Sequence, residues 1–89
     1  MRTRLAVLGA GLGLLAIAAP AQAAYVCRLN PYGDNFLSLR RAPTSASQEI
    51  MQLGPRTRLR VMRSSGGWLY VEVVEDGVVG WVASRYVCG

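Results

Sequence analysis

Cys27 and Cys88 are the only cysteines in a chain of 89 residues, and they stand at the two ends of what remains once the first 23 residues are set apart. One intramolecular pairing is open to them. It closes nearly the whole folding segment into one loop, and it requires the two Cα atoms to come within about 4.4–6.8 Å. The first and last strands must then be neighbours. A domain of this size buries only about 60% of the surface that its unfolded chain exposes, so a covalent staple has a use. The chain-entropy treatment puts its worth at about 4 kcal/mol. A redox or metal role fits less well, because there is no Cys-x-x-Cys and no further ligand beside either cysteine.

Residues 1–23 read as an address. Arg2 and Arg4 open the chain, Leu5 to Ala19 carry no polar side chain, Pro20 breaks the run, and Ala21-Gln22-Ala23 places small residues at both cleavage positions. This is the layout of a secretory signal peptide cut before Ala24, with Ala19-Pro20-Ala21 as a second cut site. The alternative is an uncleaved anchor. A run of that length spans about 22 Å as a helix, short of the roughly 30 Å hydrocarbon core. No stable membrane span is therefore expected after cleavage. Tyr25-Val26 ahead of Cys27 do not fit a lipoprotein box. Cys27 reads as structural, in a periplasmic or secreted domain where disulfides persist.

Two of the 10 basic residues fall in that leader, so residues 24–89 carry 8 arginines against 5 acids, a charge near +3. Such a charge is ordinary for solubility and weak evidence for nucleic acid. The absence of histidine excludes a histidine triad, an imidazole acid or base and a histidine-ligated metal. Two cysteines are too few for a cysteine-only zinc site. No cofactor and no metal are expected. The carboxylates are Asp34, Glu49, Glu72, Glu75 and Asp76. They offer no pair across a cleft of the kind that glycoside hydrolysis needs, so the chain does not read as an enzyme.

No helical period is sustained after the leader. Short alternating segments divided by turn residues predict an all-β unit. Strands are expected at Tyr25–Leu29, Phe36–Arg40, Thr57–Arg63, Trp68–Val74 and Val78–Val82, with Val87-Cys88 closing the domain. Ile50 and Leu53 read as anchors of a brief segment, and Ala83–Tyr86 as one 3₁₀ turn. Turns are expected at Asn30–Asn35, Gly54-Pro55, Ser64–Gly67 and Glu75-Asp76-Gly77. Five to six short strands in so few residues close most economically into a small barrel that leaves little open edge.

The order Phe36-Leu37-Ser38-Leu39-Arg40, a Pro43 loop, Leu53-Gly54-Pro55, Gly67-Trp68-Leu69-Tyr70-Val71, Asp76-Gly77, Gly80-Trp81-Val82 and Tyr86-Val87 resembles a bacterial SH3 (SH3b) domain across residues 28–87. The resemblance implies a small SH3-like barrel serving as a binding or targeting module, one that often accompanies cell-wall hydrolases and recognises peptidoglycan or its peptides. Two departures stand out. Arg41-Ala42-Pro43 occupies a place where the family commonly has Ser-Gly-Pro, and Pro55-Arg56-Thr57 one where it has Pro-Gly-Thr. Both replace a glycine with a residue that resists positive φ.

Trp68, Tyr70, Trp81 and Tyr86 are the ligand candidates, since flat amphipathic side chains hold peptide or sugar faces at low entropic cost. Trp68 and Tyr86 with the Arg40–Ser47 loop, including Arg41, are expected to form the groove. The plain alternative is that the aromatics only cap the barrel, and for Trp81 that alternative is favoured. The arginines at 40, 41, 56, 58, 60 and 63 are a second candidate. Arg58 and Arg60 share a strand face that could take a protein partner, which would make the chain a periplasmic adaptor or small structural subunit. Set against this, the same face could be solvated and paired with Glu72. Nucleic acid is not an expected partner outside the cytoplasm. Proline-rich peptide recognition is disfavoured because the loop that would have to be acidic is basic.

Overall fold

Period-two alternation in short stretches becomes seven antiparallel strands in the computed structural model, which describes residues 21–89. They are β1 (Gln22–Val26), β2 (Leu37–Arg40), β3 (Glu49–Leu53), β4 (Arg58–Ser65), β5 (Trp68–Val73), β6 (Val79–Ala83) and β7 (Val87–Cys88), with a 3₁₀ turn at Ser84–Tyr86 before the last. The order across the sheet is β3-β2-β6-β5-β4-β1-β7. Val26 and Leu53, from opposite margins of that order, share one buried cluster with Leu37, Leu39, Leu59, Val71, Val73 and Val82. A flat sheet cannot bring its margins together in this way. The sheet therefore curls into the small SH3-like barrel, with inward residues alternating against outward ones along each strand.

Gly80 permits the tightest of these approaches. Its strand crosses β2 so closely that a Cβ there would lie 2.8 Å from Leu39 Cγ and 2.9 Å from the Arg40 carbonyl oxygen. The β4–β5 hairpin closes through Gly66 and Gly67, at φ 51° and 87°. These two positive values define the two-residue turn whose twist matches the flanking strands.

The staple forms as expected. Cys27 and Cys88 are disulfide-bonded with Cα atoms 5.8 Å apart. β1 and β7 are neighbours, Tyr25 opposite Cys88 and Val26 opposite Val87, and the Cys27 amide donates to the Tyr86 carbonyl at 2.9 Å.

Three expectations need adjustment. The first strand is Gln22–Val26 rather than Tyr25–Leu29, because its partner β4 fixes the register with Ala24 opposite Leu59 and the chain turns away at Arg28, φ 58°. Most of the expected leader lies outside the described residues, and a cut before Ala24 would leave Ala24–Val26 of this strand. The segment near Ile50 is a full strand, and its inward residues are Met51 and Leu53, opposite Leu39 and Leu37. Ile50 therefore points outward and is 37% exposed; alternation along a strand puts residues 50 and 53 on opposite faces. Of the two replaced glycines, only Arg56 takes positive φ, at 67°. It occupies the third position of a Gly54–Thr57 turn closed by the Thr57 amide and the Gly54 carbonyl, where a type II turn demands that conformation.

Reduction of the disulfide is expected to lower the unfolding free energy by about 4 kcal/mol, read from urea midpoints with and without reductant. An unchanged midpoint refutes the staple. Gly80→Ala is expected to cost about 1–3 kcal/mol through overpacking against Leu39 and the β2 backbone.

Candidate functional site

The outer face of the barrel carries the predicted residues in rows set by strand register. Arg40 lies opposite Trp81, Trp81 opposite Tyr70, and Tyr70 opposite Arg63. The four residues form one line across β2, β6, β5 and β4. The Tyr70 and Trp81 rings lie 5.2 Å apart at 54°. The Arg63 guanidinium carbon sits 4.9 Å from the Tyr70 centroid and 5.3 Å from that of Trp81. Trp81 is only 9% exposed. It is thus a buried outer-face residue under a cation and a second ring, outside the main apolar cluster.

Arg63 reaches this row through a bulge. Strict alternation from Arg60 would send residue 63 inward. The register shifts between Val61 and Arg63, so Met62 is the extra residue and Arg63 returns to the outer face. Arg40 is half-buried, and its Nη1 donates to the Ser47 carbonyl at 2.8 Å. That bond closes the Arg41–Gln48 loop together with the Arg41 amide, which donates to the Gln48 carbonyl at 3.0 Å. Arg41 extends outward, and its Nε donates to Gln48 Oε1. Neither arginine hangs free as a tether; together they hold the loop in shape.

Trp68 is placed differently. It heads β5 opposite Ala83 and is half-buried. Two adjoining concavities, of about 190 and 350 Å³, both include Trp68, Ser45, Ala83 and Arg85 in their walls. Trp68 is the largest side chain common to both. Ser45 comes from the β2–β3 loop and Arg85 from the 3₁₀ turn, so that loop and Trp68 are brought together. Tyr86 lies in a further concavity with Phe36, Ser38 and Asp34. Ser38 also lines the smaller Trp68 concavity, and the Arg85 guanidinium carbon lies 5.2 Å from the Tyr86 ring centroid. In place of one groove there are three concavities, and Ser38 joins the smaller one at Trp68 to the one at Tyr86. Arg85 was not foreseen, and Ser45 was foreseen only as part of the Arg40–Ser47 loop. They lie in a turn and a loop, where strand alternation carries no information about direction.

Arg58 and Arg60 do share an exposed face, and each has an acidic neighbour. Arg60 Nη1 lies 2.6 Å from Glu72 Oε1, and Arg58 Nη2 3.8 Å from Glu75 Oε2. Exposed pairs of this kind contribute less than about 1 kcal/mol each, but they offset the charge of the row.

A small curled antiparallel sheet with an aromatic basin beside a well-ordered loop defines a compact β-barrel module. Residues 35–87 match the bacterial SH3 domain family, and the chain belongs to that family. It is also similar to the Bacillus subtilis (strain 168) protein named "Putative N-acetylmuramoyl-L-alanine amidase YrvJ", at 34% identity over 55 residues. That match covers 62% of this chain and 10% of the relative, so the chain spans about a tenth of that protein's length.

The two tryptophans are expected to separate on substitution. Trp81→Ala is expected to cost about 3 kcal/mol of stability, as for loss of a large buried ring. Trp68→Ala is expected to cost about 1 kcal/mol or less. Equal losses in urea denaturation would contradict the assignment of one to packing and the other to the surface.

Proposed function

We propose that this protein is an exported, non-catalytic binding module that recognises peptidoglycan, or peptides derived from it, through Trp68 and the basins beside it. The observation that carries the reading is the half-buried indole of Trp68 set between two adjoining concavities, with Ser45 and Arg85 at hand for polar contacts. A flat ring in that setting takes a sugar face or an extended peptide, and fixed polar neighbours give orientation. Membership of the bacterial SH3 family and similarity to a protein named as an N-acetylmuramoyl-L-alanine amidase support the choice of ligand. Because only a tenth of that relative is matched, its amidase activity is not carried across. The leader-like residues 1–23 and the disulfide support a location in the envelope or outside the cell. Docking of a protein partner on Arg58 and Arg60 has less support, since both face carboxylates of their own chain.

Co-sedimentation of the purified oxidised protein with peptidoglycan sacculi, at low and high salt, tests this. Binding is expected to persist at high salt and to fall by roughly tenfold or more in Trp68→Ala, the scale for removal of an aromatic anchor. Binding that vanishes with salt points to the arginines and a general polyanion effect. No binding, or binding indifferent to Trp68→Ala, removes the proposal.

A further inference from the structure

Among the described residues, the only non-glycine positions at positive φ are Arg28, at 58°, and Arg56, at 67°. Both line the same cleft, which shares no residue with the Trp68 basins. Its volume is about 430 Å³, within the range of small-ligand pockets. A left-handed conformation costs a residue with a Cβ about 1–2 kcal/mol, and glycine escapes the cost. Strain of this kind collects where a side chain has work beyond folding.

The hydrogen-bonding state of the two arginines points the same way. Arg56 makes no side-chain hydrogen bond or ion pair with any described residue; its backbone amide, 2.9 Å from the Val26 carbonyl, pins it at the cleft. Arg28 Nη1 donates to the disulfide sulfurs, 2.8 Å from Cys88 Sγ and 3.3 Å from Cys27 Sγ. Sulfur is a weak acceptor, so the donors of the guanidinium remain without a strong partner. No carboxylate lines the cleft. Asp34 and Arg28 both line the neighbouring Tyr86 basin, without an ion pair between them. This contrasts with Arg58 and Arg60, each of which faces an acid.

We propose that Arg28 and Arg56 form a receptor for the terminal carboxylate of a peptide. Two guanidinium forks suit a planar carboxylate. The rest of the wall suits the residues behind it: Tyr25, Pro31 and Pro55 offer flat apolar surface, and Asn35 offers an amide for a peptide group. Tyr25 lies on the outward face of its strand and is 42% exposed. The cross-link holds this receptor in place, since Cys27 is in the wall and Arg28 follows it. The site is independent of the Trp68 basins, and either assignment can fail alone.

The test is an NMR titration of the oxidised protein with N-acetyl-dialanine, its C-terminal amide and inorganic phosphate, each up to the order of 10 mM, where a Kd of about 1 mM gives near saturation. The free carboxylate is expected to shift the amides of Arg28, Asn35 and Arg56 and to leave Trp68 unmoved. The double variant Arg28→Gly, Arg56→Gly keeps the backbone conformation accessible and is expected to bind about tenfold or more weakly, the loss of charged hydrogen bonds. Arg58→Ala is expected to bind as the parent does. Equal shifts from the amide, retained binding in the folded double variant, or an equal loss in Arg58→Ala overturns the proposal. Phosphate binding without carboxylate binding also overturns it, and reassigns the cleft to phosphate.

Discussion

The bond between Cys27 and Cys88 holds together parts of the fold that little else connects. β7 is two residues long and pairs only with β1. β1 in turn pairs with β4, the long strand of the central hairpin. Without the cross-link, the 3₁₀ turn and β7 rest on two ladder positions, a few backbone hydrogen bonds and the packing of Tyr86 and Val87 against the core. That turn carries Arg85 and Tyr86, and the other end of the bond carries Arg28. One covalent constraint therefore positions groups on two separate surfaces. The dependence is physical: a domain this small has too little apolar area to fix its termini by packing alone.

The outer face of the sheet shows a second economy. An indole as large as that of Trp81 does not fit a core made mainly of leucine and valine around Gly80, whose own Cβ would already collide with Leu39. The ring is placed outside and covered there by Tyr70 and Arg63. The bulge at Met62 makes this possible, since without it Arg63 would face inward. Burial on the outside is thus a consequence of tight packing on the inside. It also leaves Trp81 with little exposed surface, so that Trp68 is the more accessible indole.

The fold was largely legible because it rests on local signals: alternation, paired glycines and a single possible disulfide. The strand hidden around Met51 was missed because Glu49–Leu53 has weak alternation, with Ile50 apolar yet outward. The candidate surface was only half legible. Strand residues such as Trp68, Tyr70, Arg58 and Arg60 took the expected faces, since period two dictates them. Arg85 did not announce itself, Arg63 was foreseen only as one of several arginines and Ser45 only as part of a loop, because a 3₁₀ turn, a bulge and a loop each break that period. The left-handed arginines were half visible. Arg56 stood out as a departure from glycine, whereas Arg28 carried no signal until the chain was seen to turn directly after Cys27.

The distribution of arginine gives the surface its logic. Arg40 and Arg41 are consumed in shaping a loop, Arg58 and Arg60 face carboxylates, and Arg63 and Arg85 lie over aromatic rings. Six of the eight arginines among the described residues thus have an intramolecular occupation that the structure makes explicit. The net charge near +3 of residues 24–89 is therefore not spread evenly as free positive potential. It is concentrated functionally at Arg28 and Arg56, whose occupations are the weakest and whose backbones are the most strained. A ligand drawn by charge alone would find little elsewhere to hold, and one drawn by an aromatic face would go to Trp68. The two surfaces select by different physics, so a polymer bearing both sugar or peptide faces and free carboxylates could engage them together, with the second contact strengthened by the effective concentration that the first creates.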